Sequence, residues 1–94
     1  MAAYLVGHIR VKDTGLWQKY VEGVAASLAP FETRIIFRGH LARILAGRHD
    51  YDLAVVIEFP DNVTLDNWFH SEKYQALVTL RDKAADVVIT TYTT

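Results

Sequence analysis

The sequence contains no cysteine and a single methionine. It can therefore build no disulfide framework and no thiolate metal site. Its only prolines, Pro30 and Pro60, fall where a regular element should end. It has no glycine-rich phosphate loop, no GxSxG and no cysteine nucleophile. The four histidines, His8, His40, His49 and His70, form no HxH or HxxxH pair, which argues against a metal centre. Neither sign of charge is in excess. Ten Lys and Arg face eleven Asp and Glu, for a net charge of −1 with His neutral. That leaves no basic footprint for nucleic acid and no polybasic membrane signal. No apolar run approaches the ~18 residues of a membrane helix. "MAAYLVGHIRVKD" lacks the basic segment and long apolar run of a signal peptide. These absences lead us to expect a cytoplasmic protein with no metal or organic cofactor.

What the chain does have is apolar content. At 94 residues it has room for one domain, and 51% of it is apolar. A domain this small buries only a modest share of its surface. Part of the apolar surface is thus available for a partner subunit.

Periodicity orders the elements. "AYLVGHIRVK", residues 3–12, alternates as a strand. Leu5, Gly7, Ile9 and Val11 share one face; Tyr4, Val6, His8 and Arg10 share the other. Asp13 or Thr14 can cap a helix over residues 15–28, whose stripe is Trp17, Tyr20, Val21, Val24 and Leu28. "TRIIFRGHLARILA", residues 33–46, reads as a long strand with a bulge or bend at Gly39. "GRHDYD", residues 47–52, has turn chemistry. "LAVVIEF", residues 53–59, is the most apolar strand. A second helical region starts after Pro60 with Leu65, Trp68 and Phe69 inward. It breaks near His70 and restarts on a Ser71 cap, with Tyr74, Leu77, Val78 and Ala84 inward. "VVITTY", residues 87–92, is the last strand. The order β-α-β-β-α-β, with the second α broken in two, suits an α+β ferredoxin-like fold: a four-stranded antiparallel sheet with its helices on one face.

The uncovered face is then mixed. It would carry Tyr4, Val6, His8, Arg10, Val56 and Glu58, with Ile36, Arg38 and His40 joining them unless a bulge inverts the register. Two such sheets packed face to face would cover the apolar groups and let Arg and Glu neutralise one another. We therefore expect a homodimer through the sheet face, burying on the order of 1,600 Å² or more.

Several segments together resemble a known family. They are "YLVGHIRVKD", "LAPF", "YDLAVVIEFPD", "WFHSEKYQAL" and "LRDKAADVVI". The chain is similar, from about Tyr4 to Tyr92, to the short bacterial proteins grouped as domain-of-unknown-function family thirteen-thirty. The resemblance implies a single dimeric α/β-barrel domain, residues 1–94, made of two ferredoxin-like protomers packed sheet to sheet. That superfamily also holds cofactor-free monooxygenases, muconolactone isomerases, chlorite-dismutase-like haem proteins and stress-responsive barrel proteins. The resemblance itself assigns no reaction.

Two groups of side chains are candidates for chemistry. His70 fits two roles: a residue that satisfies loose backbone at a helix stop, or a general acid/base at the mouth of a pocket. Trp68 and Tyr74 would shape that pocket. His8, Arg10, Arg38 and Glu58 form the second group. They would be an interfacial ion-pair network or a cradle for a small anion. Two functions follow. One is a cofactor-free enzyme, oxygenase- or isomerase-like, acting on a small flat organic molecule. The other is a non-catalytic metabolite-binding or stress-response protein of the same shape.

Overall fold

The structure is a computed structural model and describes residues 2–94. Four antiparallel strands form one sheet in the order β2-β3-β1-β4. They are β1 (Ala3–Val11), β2 (Arg34–His40), β3 (Leu53–Phe59) and β4 (Ala85–Thr93). Four helices cover one face: α1 (Thr14–Leu28), α2 (Asn62–Phe69), α3 (Glu72–Gln75) and α4 (Val78–Ala84). This is the expected ferredoxin-like layout, and the domain is a slab of 33 × 32 × 15 Å.

Side-chain caps set the helix starts. The Asp13 carboxylate accepts from Leu16 N at 3.0 Å, and Asp61 accepts from Thr64 N at 2.7 Å. Those backbone contacts hold the Asp61 carboxyl below the usual carboxylate range. Ser71 Oγ accepts from Tyr74 N at 3.2 Å and donates to Trp68 O at 2.6 Å. One hydroxyl thus ends α2 and starts α3. A further pause at Ala76 and Leu77 divides the rest of the region into α3 and α4, one break more than expected.

Register decides which residues face the helices. Ala3 pairs with Phe59, Leu5 with Ile57, Gly7 with Val55 and Ile9 with Leu53. These pairs look toward the helices, as the alternation predicts. Tyr4, Val6, His8 and Arg10 look the other way, opposite Glu58, Val56 and Ala54 on one side and Tyr92, Thr90, Val88 and Asp86 on the other. The core gathers at one end, where Leu5, Ile57 and Phe59 meet Leu65, Trp68, Tyr74, Tyr20 and Leu28.

Strand β2 departs from expectation twice. The bulge lies at Ile36, between Ile35 and Phe37, and not at Gly39. Beyond it Phe37 pairs with Val56 on the open face, and Arg38 pairs with Val55 on the helix face. The strand also ends at His40, six residues early. The last link is Leu41 N to Asp52 O at 2.6 Å. The apolar run 41–46 has strand composition but no partner strand in this chain, and Leu45 is 84% exposed.

Candidate functional site

Helix α1 packs mainly on α3 and α4 and stands off the sheet. Glycine makes that separation possible at Gly23, where an added Cβ would lie 2.6 Å from Leu77 Cδ2. At the centre of β1, Gly7 has no side chain to fill the gap beneath α1. The result is a hollow of about 670 Å³ between α1 and the sheet. That is within the ~300–1,000 Å³ range of small-molecule sites.

The hollow has an apolar floor and a polar mouth. The floor is Leu5, Ile57, Leu28, Tyr20, Trp68 and Tyr74, all buried. Half-buried Val55, Val24, Trp17 and Ile89 form the walls. The exposed lining residues Thr14, Gln18, Arg38, His40 and Asp52 mark the mouth. Arg38 has no ion-pair partner among the described residues.

Polar atoms at the floor are tightly organised. Trp68 Nε1 donates to Ser27 Oγ at 2.9 Å, and Ser27 Oγ donates to Val24 O at 2.7 Å. The indole N–H is therefore already paired, and Trp68 offers a ligand only its ring. Tyr20 and Tyr74 share a hydroxyl contact of 2.9 Å, and Arg81 Nη1 donates to Tyr74 Oη at 3.1 Å. Burial, then the Tyr74 contact, pushes the Tyr20 phenol far above its ordinary 10.0. Burial works against the Arg81 cation, but hydrogen bonds to Tyr74 and Asp82 outweigh it.

The other sequence candidates are dispersed. His70 is not at the mouth of the hollow. It is the exposed C-cap of α2, its backbone N–H donating to Asp66 O at 2.9 Å while Ser71 N donates to Trp68 O at 3.1 Å, its ring edge-on to Phe69 at 5.4 Å. The cause is local: helix α2 ends at Phe69, and the next turn points outward. Arg38 is not on the open face with His8, Arg10 and Glu58, because the Ile36 bulge rotates it to the helix side. His40 is turned the same way. Arg10 pairs with Asp86 at 2.7 Å, not with Glu58. That hydrogen bond lowers the Asp86 carboxyl and raises the Arg10 guanidinium. Glu58 accepts from Tyr4 Oη at 3.0 Å and pairs with Arg34 at 2.9 Å. His8 and Glu58 share a face but sit about four residues apart along the sheet, roughly 13 Å.

His8 has a different setting. The 41–52 segment folds His49 and Tyr51 toward it, with ring centroids at 4.9 and 6.4 Å. They flank a second hollow of about 260 Å³. His8 Nδ1 is buried there with no partner among the described residues. Among those residues no group of three or more His, Cys, Asp or Glu could hold a metal ion. Sequence reasoning missed Ser27, Asp52 and Arg81. Arg81 had a signal, since it follows Tyr74 by seven residues in the stretch expected to be one helix, although the break at Ala76 and Leu77 divides that stretch.

Comparison with solved structures supports this fold. A protein of unknown function from Rhodopseudomonas palustris superposes with a TM-score of 0.82 at 13% identity, covering 97% of this chain and 80% of its own. A dimeric ferredoxin-like protein of unknown function from Jannaschia sp. gives 0.71 at 14% identity, with full coverage of both chains. SnoaB, a cofactor-independent oxygenase from Streptomyces nogalater, gives 0.72 at 11% identity, covering 99% of this chain and 92% of its own. No curated protein matches the sequence. The family model described as "Domain of unknown function (DUF1330)" matches residues 2–92, nearly the whole chain, and the chain belongs to that family.

Proposed function

We propose that this protein is a homodimer that takes a small, flat, mostly apolar organic molecule into the hollow beneath α1. The observation that carries the reading is the hollow itself. It joins an aromatic floor to a mouth bearing Arg38, a cation with no ion-pair partner among the described residues, the usual make-up of a ligand site. Arg38 would steady a carboxylate or other negative group at the outer end of the ligand.

The dimer follows from the open sheet face. Phe37 on edge strand β2 is 53% exposed, Tyr92 and Val88 on the opposite edge strand β4 are 58% and 40%, and Val6 and Val56 are half-buried between the two edges. Water is a poor medium for such a row, and a second sheet would cover it. The Jannaschia relative is described as dimeric, which supports the same assembly.

A catalytic version of the reading draws on SnoaB, which performs oxygenation without a cofactor on the same fold. In that version Trp68 and Tyr74 shape the bound molecule and Arg38 holds developing charge. His70 enters only through proton exchange at the surface, since its ring lies outside the hollow.

The test is a thermal-shift screen of aromatic acids, phenols and lactones against wild type and Gly7→Val. At 100-fold excess over Kd a ligand adds about 2.7 kcal/mol of stability. A Cβ at Gly7 would meet Val55 Cγ1 at 3.0 Å and begins to fill the floor. Stabilisation lost in Gly7→Val and kept in His70→Ala supports the hollow. Stabilisation lost in His70→Ala and kept in Gly7→Val refutes it.

A further inference from the structure

A count of protons at the floor of the hollow says more about the ligand, and it rests on the reading that the hollow takes one. Tyr20 and Tyr74 both line the hollow. Tyr20 is 7% exposed and Tyr74 is fully buried. Their hydroxyl oxygens meet at 2.9 Å, and Arg81 Nη1 donates to the Tyr74 oxygen at 3.1 Å. Among the described residues neither oxygen has another partner. Two phenols carry two protons, and the contact between their oxygens can hold one. Arg81 is a donor only, so it accepts neither.

One phenol proton is therefore left over, whichever way the shared bond points. If Tyr74 donates to Tyr20, the Tyr20 proton is free. If Tyr20 donates to Tyr74, the Tyr74 proton is free. A buried donor without an acceptor is costly, and native structures rarely leave one. The side chains that own it border the hollow beneath α1.

We infer that the Tyr20–Tyr74 pair is a ligand-binding donor that receives a carbonyl-type oxygen, the oxygen of a ketone, enone or lactone on an otherwise apolar ring system. Arg81 sets the polarity. Its cation lies behind Tyr74, draws electron density from the hydroxyl pair and favours an electron-rich acceptor in front. A ligand group serving only as donor is disfavoured, because it would leave the left-over phenol proton without an acceptor. The carbonyl end would enter first and lie at the floor. The remainder would lie along Trp68 and Val24 toward the mouth. No bond is made or broken in this step; it is recognition.

The test uses 1-tetralone and tetralin, which share a ring skeleton and differ by one carbonyl oxygen. Calorimetric affinities are measured for wild type, Tyr20→Phe, Tyr74→Phe and the double variant. The quantity read is the affinity ratio of tetralone to tetralin, which cancels general hydrophobicity. Each single variant keeps one hydroxyl and one left-over proton, so each keeps most of the ratio. The double variant has none, and its ratio falls by about tenfold, the worth of one neutral hydrogen bond. An unchanged ratio in the double variant overturns the inference while leaving the hollow as a binding site. Loss of the whole ratio in both single variants also overturns it. Binding of neither compound to wild type overturns the inference and the hollow together. Should the double variant not fold, the infrared carbonyl stretch of tetralone bound to wild type decides. A shift to lower frequency than in an apolar solvent supports the hydrogen bond, and an unshifted band overturns it.

Discussion

Replacing Ser27 by alanine should reveal how firmly the floor of the hollow is held. Ser27 is 1% exposed and Trp68 2%. The substitution removes the acceptor for Trp68 Nε1 and leaves an indole N–H unpaired in the core. An orphaned buried donor costs about 1–3 kcal/mol. Alanine is the better helix former in α1 and returns roughly 0.5 kcal/mol. The net loss is about 0.5–2.5 kcal/mol. In a domain of this size each kcal/mol moves Tm by about 4–8 °C, so the fall should lie between about 2 and 20 °C. Thermal melts followed by circular dichroism, at one protein concentration because assembly shifts Tm, measure it. A cycle with Trp68→Phe isolates the pair. The double variant should be less destabilised than the sum, with a coupling of about 0.5–3 kcal/mol. A Ser27→Ala loss within error of zero, or no coupling, would refute the view that Trp68 is a fixed part of the floor.

Other substitutions probe the remaining assignments. His70→Ala should change stability by no more than about 0.5 kcal/mol, since the side chain is exposed; a larger loss in a chemical melt contradicts its placement. Phe37→Glu should shift sedimentation from dimer to monomer at micromolar concentration, and an unchanged dimer removes the sheet face from the interface. Tyr20 supplies a pH test. Its folded pKa is raised, so its contribution is fully present below the ordinary value of 10.0 and is lost as pH climbs above it. Wild type should therefore lose stability above about pH 10 more steeply than Tyr20→Phe, and parallel pH profiles would contradict this.

Most of the fold was legible because its signals are local and repeated. Period-two alternation in β1 and β3 placed both faces of the sheet correctly. Asp13, Asp61 and Ser71 announced helix starts through chemistry confined to three residues. Strand β2 was harder for a physical reason. Its composition permits a bulge anywhere from Ile35 to Gly39, and glycine drew the expectation to the wrong position. The bulge site depends on which of Ile35, Ile36 and Phe37 finds a partner in β3, and that is a tertiary choice. Placing the bulge three residues too late left Arg38 on the wrong side of the sheet. His70 shows the opposite limit. "WFHSEKYQAL" reveals that a helix breaks there, but the direction of the imidazole depends on a turn that sequence does not resolve. Trp68 and Tyr74 were recognisable as inward aromatics. Ser27, the partner of Trp68, belongs to α1 and meets it only in the folded chain, whereas Arg81 lies seven residues from Tyr74 across a helix break that the sequence did not announce.

The extra residue at Ile36 has a consequence for how such a site diversifies. Point substitutions around the mouth exchange one side chain at a time. Were the extra residue accommodated beyond His40 instead of at Ile36, Ile36 would pair with Val56 and the stretch from Phe37 to His40 would turn over. Phe37 and Gly39 would then face the hollow, and Arg38 and His40 would leave it for the opposite surface. A cationic rim would become an aromatic one, and the outer sheet would exchange its phenylalanine for an arginine. Ligand preference and self-association would thus change together with the position of one bulge. The edge strand therefore couples two properties that the rest of the sheet keeps on separate faces.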